Sequence, residues 1–284
     1  MVNLTHEQSL LQEIEQLAGK GKIHDSAGLT PQGIGSKLKS QDAELEIKWL
    51  IPTTRQRLNA TKLYLDLMEH IDFDYYLRIP VPLDSESSLP SKDFIDFSDH
   101  GIVNIQIKLL ENNYIVHRET SALVVFTVLN GFFSNLVSLE DCVAKIINIV
   151  YDLHHNDRES YKIRQMLKNK LPNGNLTIHL GNFHVVDQNG NLDKTGSPFN
   201  IAKQIRNQLI HGNIDSVVVS PILLSGFPPD KLYFQSSFFP TNMNRTGTEI
   251  TTFCNSVFKE TVDFIDECYK LILGELQNSG YLPV

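Results

Sequence analysis

A nearly continuous apolar stretch over residues 118–153 constrains the fold of this chain more than any other segment. Its polar residues recur at steps of three or four, and at about 100° per residue they fall in one wedge roughly 80° wide on a helix. The members of this polar seam are Thr127, Asn130, Ser134, Ser138, Asp141, Lys145, Asn148 and Asp152. We therefore predict a long helix with apolar contacts on most of its circumference, lying at a bundle centre or in a subunit interface.

The composition of the seam suggests a role for it. Ser, Thr and Asn dominate, whereas an ordinary solvated face contains more Lys and Glu. We predict that the seam lines a cleft or a polar subunit interface, and plain solvent exposure is the alternative. The residues that carry this expectation are Ser134, Ser138, Asp141, Lys145, Asn148 and Asp152. A membrane span is not expected, because polar residues interrupt the apolar run and the same pattern continues past Asp141 and Lys145.

The overall composition is that of an ordered globular protein. Of 284 residues, 41% are apolar and 20% are charged, and the net charge is -8. This negative net charge argues against a protein that coats nucleic acid through its overall charge, but it is compatible with a local basic patch. The three cysteines, Cys142, Cys254 and Cys268, lie in apolar, helix-like runs without close pairs. We expect free buried thiols in a cytoplasmic protein, with no signal peptide, metal site or cofactor.

The pattern of the rest of the chain predicts a mainly α protein. Helices are expected at 4–18, 41–71 (interrupted or restarted at Pro52), 157–170, 198–211 and 248–277. Residues 79–100 are rich in Pro, Ser and Asp and are the best candidate for a domain boundary. They separate a helical N-terminal region, 1–100, from a helical bundle, 101–284. For 102–110 a strand and a helix start both remain open, and small β-hairpin insertions are expected near 176–187 and 216–239.

One short motif carries the chemistry. On the helix predicted for 198–211, Asn207 and His211 are neighbours on the face opposite the core. Arg206 lies on the flank, about 140° from His211 on an ideal helix. An arginine holds phosphate through two hydrogen bonds, and a histidine moves protons near neutral pH. The alternative is an ordinary helix end. Glycine, here Gly212, is common directly after the last residue of a helix, and a histidine in the last turn, here His211, interacts favourably with the helix dipole.

The segment from Arg206 to His211 resembles the arginine, four-to-six residues, histidine motif of the HEPN superfamily (higher eukaryotes and prokaryotes nucleotide-binding). Asn207 matches the polar residue that typically follows the arginine. The resemblance covers residues 101–280, residues 1–100 add nothing to it, and the expected hairpins depart from the compact family form. It implies a helical bundle that forms a homodimer, in which two motifs meet in one metal-independent endoribonuclease site.

The resemblance leaves two functions open, because many family members have lost activity. The first is a homodimeric endoribonuclease, with a defence or toxin-like role, in which Arg206 binds phosphate, His211 is the general acid or base and Asn207 orients His211 or contacts the substrate. The second is a non-catalytic, nucleotide-binding or scaffold dimer. In the first case we expect phosphate contacts from cations on two helices, Lys203, Lys162, Arg164 and Lys168.

Overall fold

A computed structural model describes residues 2–19, 41–69, 71–72, 105–109, 112–116, 118–151, 153, 160–183, 197–211, 218–219, 232–234, 238 and 248–278. Helices dominate these residues, which confirms the mainly α class. The helices are α1 (Glu7–Gly19), α2 (Gln41–Glu69), α3 (Arg118–Val150), α4 (Ser160–Lys170), α5 (Asn175–Phe183), α6 (Pro198–His211) and α7 (Ile250–Asn278).

The chain divides into two compact units. Unit 1 comprises Met1–Lys62, Asn135–Asn200 and Phe258–Val284, and unit 2 comprises Leu63–Ser134 and Ile201–Val257. Each unit therefore combines segments from both sides of the boundary expected at 79–100. That boundary itself lies outside the described residues.

In unit 1, α1 and α2 carry buried apolar residues at helical spacing. Leu10 and Ile14 of α1 and Ile47, Ile51 and Leu58 of α2 have no exposed surface. A proline inside a helix costs about 3 kcal/mol, yet α2 runs through Pro52 as one helix. Burial on both sides of Pro52 accounts for this, because each fully buried aliphatic side chain contributes roughly 1.5–3 kcal/mol.

Helix α3 confirms the strongest prediction from the sequence. It is a single helix of 33 residues. Phe132, Phe133, Leu136 and Leu139 are completely buried within the chain itself. These buried residues lie at the apolar positions that the helical pattern of α3 predicts.

Among the described residues of unit 2 there are two small antiparallel sheets. The first has the order β1 (Ile71–Asp72), β2 (Ile105–Leu109) and β3 (Asn112–Val116). The strand interpretation of 102–110 is therefore the correct one over β2. The second sheet pairs β4 (Val218–Val219) with β5 (Tyr233–Phe234), inside the range expected for a hairpin.

The hairpin predicted near 176–187 is wrong where the structure describes it, because α5 occupies Asn175–Phe183. The alternation of Leu176, Ile178 and Leu180 suggested a strand with one apolar face. Leu176 and Leu180 are buried, but Ile178 is 51% exposed. Burial at four-residue spacing with exposure between is the signature of a helix, so tertiary packing decided against the strand. Residues 184–187 lie outside the described part.

Three further observations concern the described residues. No helix in the described part of the chain is both long and apolar enough to cross a membrane. Cys142, Cys254 and Cys268 are free and buried. Burial raises the pKa of all three thiols, which keeps them protonated and unreactive. Over the same described ranges, no group of three His, Cys, Asp or Glu side chains is placed to hold a metal ion.

Candidate functional site

The candidate site lies on α6, and its start matches the prediction. Pro198 is the first helical residue, where a missing N–H is tolerated. The Ser197 hydroxyl oxygen accepts a hydrogen bond from the backbone N–H of Asn200 at 3.3 Å, so Ser197 is the N-cap. This cap sets the residue at which α6 begins.

The two faces of α6 in unit 2 are those expected from the sequence. Ala202 and Ile205 have no exposed surface and Leu209 has 1%, so they form the core face. Asn207 and His211 are exposed, one turn apart, on the outward face. The helix therefore holds its candidate histidine in contact with solvent, where a substrate can reach it.

Arg206 lies on the flank of α6 and is half-buried. Its Nη1 donates a hydrogen bond to Oδ1 of Asn207 at 3.3 Å. Its Nε is buried and has no hydrogen-bond partner among the described residues. The outer part of the guanidinium thus reaches the side of the helix that carries Asn207, as the long arginine stem allows.

His211 is the last residue of α6. An exposed imidazole at this position can exchange protons with solvent or with a substrate. The same position lets a protonated ring interact favourably with the C-terminal helix dipole. Both interpretations of His211 are therefore compatible with its place. Lys203, one turn before Asn207, is half-buried and lies on the same outward face.

The cations predicted on the basic helix do not form one surface. Lys168 is exposed and Lys162 is half-buried on α4. Arg164 instead points inward: its Nη2 lies 3.5 Å from Oε1 of Glu140, and the two side chains are only 15% and 6% exposed. Burial lowers the pKa of Arg164, and Glu140 opposes this shift. The interpretation of Arg164 as a phosphate ligand does not fit this placement, because its guanidinium is already paired inside unit 1.

The polar seam of α3 is partly filled by a neighbouring helix. In unit 1, Nη1 of Arg57 on α2 donates to the hydroxyl of Ser138 at 2.6 Å, and this hydroxyl donates to the backbone oxygen of Asn135 at 2.7 Å. At Ser138 the seam is therefore a contact between helices of the same chain. Asp141 is exposed, while Lys145 and Asn148 are half-buried.

Part of the seam forms a contact within α3 itself. In unit 2, the hydroxyl of Ser134 donates to Oδ1 of Asn130 at 3.3 Å, within α3. Asp152 lies outside the described residues. The seam residues that the structure describes thus have partners of several kinds.

Ile210 is a feature of α6 to which sequence reasoning gave no role. Its side chain is 46% exposed, directly before His211 and one turn after Arg206. The helical pattern of the sequence could have singled out Ile210, because an isoleucine on the polar face departs from the periodicity of the core positions.

A comparison of this chain with family models, with curated proteins and with solved structures finds no match in any of the three.

Proposed function

We propose that this chain is a metal-independent endoribonuclease of the HEPN type that acts as a homodimer. The observation that carries the proposal is the arrangement on α6. His211 and Asn207 are exposed one turn apart, and the Arg206 guanidinium reaches Asn207. A phosphate ligand and a proton-transfer group thus share one helix end. The free, buried cysteines suit a reducing compartment, and we place the activity in the cytoplasm, in a defence or toxin-like role.

The proposed reaction needs only these groups and the RNA. The ribose 2′-oxygen attacks the adjacent phosphorus and loses its proton to a general base. The bond to the 5′-oxygen breaks, and this oxygen takes a proton from a general acid, leaving a 2′,3′-cyclic phosphate and a free 5′-hydroxyl. His211 serves as acid or base, and Arg206 binds the non-bridging phosphate oxygens, whose charge grows in the transition state.

A homodimer supplies the group that one motif lacks. A single histidine cannot both accept the first proton and donate the second one in a concerted step. Two motifs that meet across a dimer axis provide both roles. An obligate interface of this kind buries on the order of 2,000 Å² or more, so the dimer should persist at micromolar concentration in light scattering. A clean monomer mass would contradict this part of the proposal.

The central experiment incubates the purified chain with total RNA in the presence of EDTA. We expect cleavage by the wild type and its loss in His211→Ala and Arg206→Ala. Gln208→Ala is the matched control, because Gln208 is exposed on the same helix and has no proposed role. His211 is exposed too, so its removal should leave the fold intact, which circular dichroism checks.

If the RNA stays equally intact with the wild type and with His211→Ala, the nuclease proposal is wrong. The function would then be that of a non-catalytic nucleotide-binding or scaffold dimer. In that case His211 would simply be a favourable residue at the end of α6, as its position next to Gly212 also allows.

A further inference from the structure

Ile210 exposes 46% of its surface, although the other large aliphatic residues of α6 are buried. Ile201, Ile205 and Leu209 have at most 3% exposure and supply the core face. A β-branched residue in an exposed last turn does not favour the helix either, because it loses side-chain freedom there. Neither core packing nor helix propensity explains an isoleucine at this position.

The location of Ile210 relative to the motif suggests a reason. On an ideal helix, Ile210 lies about 40° from Arg206 and about 100° from His211, on the arc between them. Asn207 lies on the same arc. A group that reaches from the Arg206 guanidinium to the His211 imidazole therefore passes over Ile210 or Asn207.

The chemistry of an RNA substrate matches this pair of side chains. A phosphate held by Arg206, with its ribose near His211, carries a nucleobase alongside the arc. A nucleobase has a flat face that packs on apolar groups and edges that form hydrogen bonds. Ile210 offers an apolar contact and Asn207 an amide. Resting on the proposed ribonuclease function, we infer that Ile210 is a substrate-binding residue that packs against a nucleobase next to the scissile phosphate.

The test compares two uncleavable probes by fluorescence anisotropy on the full-length chain. One probe is a short 2′-O-methyl oligouridylate, and the other is a backbone of equal length without bases. Ile210→Ala should weaken binding of the oligouridylate by about tenfold, as expected for lost apolar contact in a binding site. Binding of the abasic probe should stay unchanged, and Ile210→Leu should retain affinity for both. Ile178→Ala is the matched control, since Ile178 on α5 is also exposed, at 51%.

Each other outcome contradicts the inference in a recognisable way. Equal losses on the two probes would show that Ile210 does not contact a base, and so would no loss on either. A smaller mass for Ile210→Ala in light scattering would show that a second copy covers this residue instead. A wild type that cleaves RNA while Ile210→Ala binds normally would remove this inference alone. A wild type that neither cleaves nor binds RNA would remove the proposed function together with it.

Discussion

Arg206 donates a hydrogen bond from Nη1 to the side-chain oxygen of its neighbour Asn207, at 3.3 Å. Asn207 therefore contacts the arginine of the motif, whereas the sequence suggested that it orients His211 or contacts the substrate. Nε of the same guanidinium is buried, so the outer nitrogens are the part of this group that is placed to bind a ligand.

Arg206→Lys should weaken RNA binding although the net charge is unchanged. Lysine keeps one cation but loses the planar fork, so it cannot bond Asn207 and two phosphate oxygens together. One lost hydrogen bond to a charged group corresponds to about 1.5–3 kcal/mol, or about tenfold and more in affinity. Anisotropy with a short single-stranded RNA measures this.

Lys259→Arg on α7 is the control, because it also exchanges one cation for another, at an exposed position with no proposed role. If Arg206→Lys binds as well as the wild type, Arg206 acts only as a charge on the surface of α6. Its contact with Asn207 would then have no role in binding.

Gly131→Ala should destabilise the protein, because α2 and α3 approach each other closely in unit 2. A methyl group added at Gly131 would lie 2.3 Å from Cζ of Tyr64 and 2.5 Å from Cε1. Overpacking of this kind typically costs 1–3 kcal/mol, so we expect about 2 kcal/mol in the free energy of unfolding by urea. Tyr64→Leu combined with Gly131→Ala should recover much of the loss, because the clashing ring is gone.

Gly274 provides a matched control in α7. Apart from the adjacent residues and the backbone of α7 itself, no atom lies within 4 Å of a methyl group added there. Gly274→Ala should therefore stabilise the protein by up to about 1 kcal/mol, through helix propensity alone. Equal effects of the two substitutions would show that Tyr64 moves aside without cost and that the close approach is not constraining.

The contribution of Glu275 to the free energy of unfolding should decrease as the pH rises. In unit 1 its carboxylate accepts a hydrogen bond from the buried hydroxyl of Tyr151. Burial raises the pKa of Glu275 above its ordinary value of 4.5, although this bond and one from the Leu176 backbone oppose the shift. The folded state thus holds the proton more tightly than the unfolded chain. The associated stability is present below pH 4.5 and is lost as the pH rises through the folded pKa.

Urea unfolding at a series of pH values checks this expectation. The stability of the wild type relative to Glu275→Gln should decrease with pH across this window, because glutamine does not titrate. Glu15→Gln, at a carboxylate that is 57% exposed, is the comparison. A difference between wild type and Glu275→Gln that is flat or grows with pH would contradict the assignment.

Helices with long, regular patterns were predictable from the sequence. The core face of α6, with Ala202, Ile205 and Leu209, follows from the helical period, and so does the course of α3. In α5 the pattern was too short to decide. Alternation at Leu176, Ile178 and Leu180 fits a strand as well as a helix, and only burial in the folded chain separates the two.

The pairing of Arg164 with Glu140 shows a different limit. Glu140 lies on α3 outside the polar seam, and its side chain is buried. Its partner lies on α4, and sequence spacing says nothing about which side chains meet across helices. The exposure of a single cation such as Arg164 therefore depends on tertiary contacts that periodicity does not contain.

Lys162 and Lys168 provide the final prediction, which concerns the salt dependence of RNA binding. If α4 contacts a phosphate backbone, replacing both lysines with alanine should weaken binding evenly across RNA sequences. The slope of log affinity against log salt should also become shallower by about 0.7 for each lost contact with a single strand.

Arg164→Ala should behave differently. It leaves Glu140 buried without its cation, and breaking such a pair costs about 3–5 kcal/mol, so the variant should lose stability rather than salt dependence. Parallel anisotropy titrations and urea unfolding separate the two effects. A double lysine variant with an unchanged slope would exclude α4 from the RNA-binding surface and leave α6 as the only proposed contact.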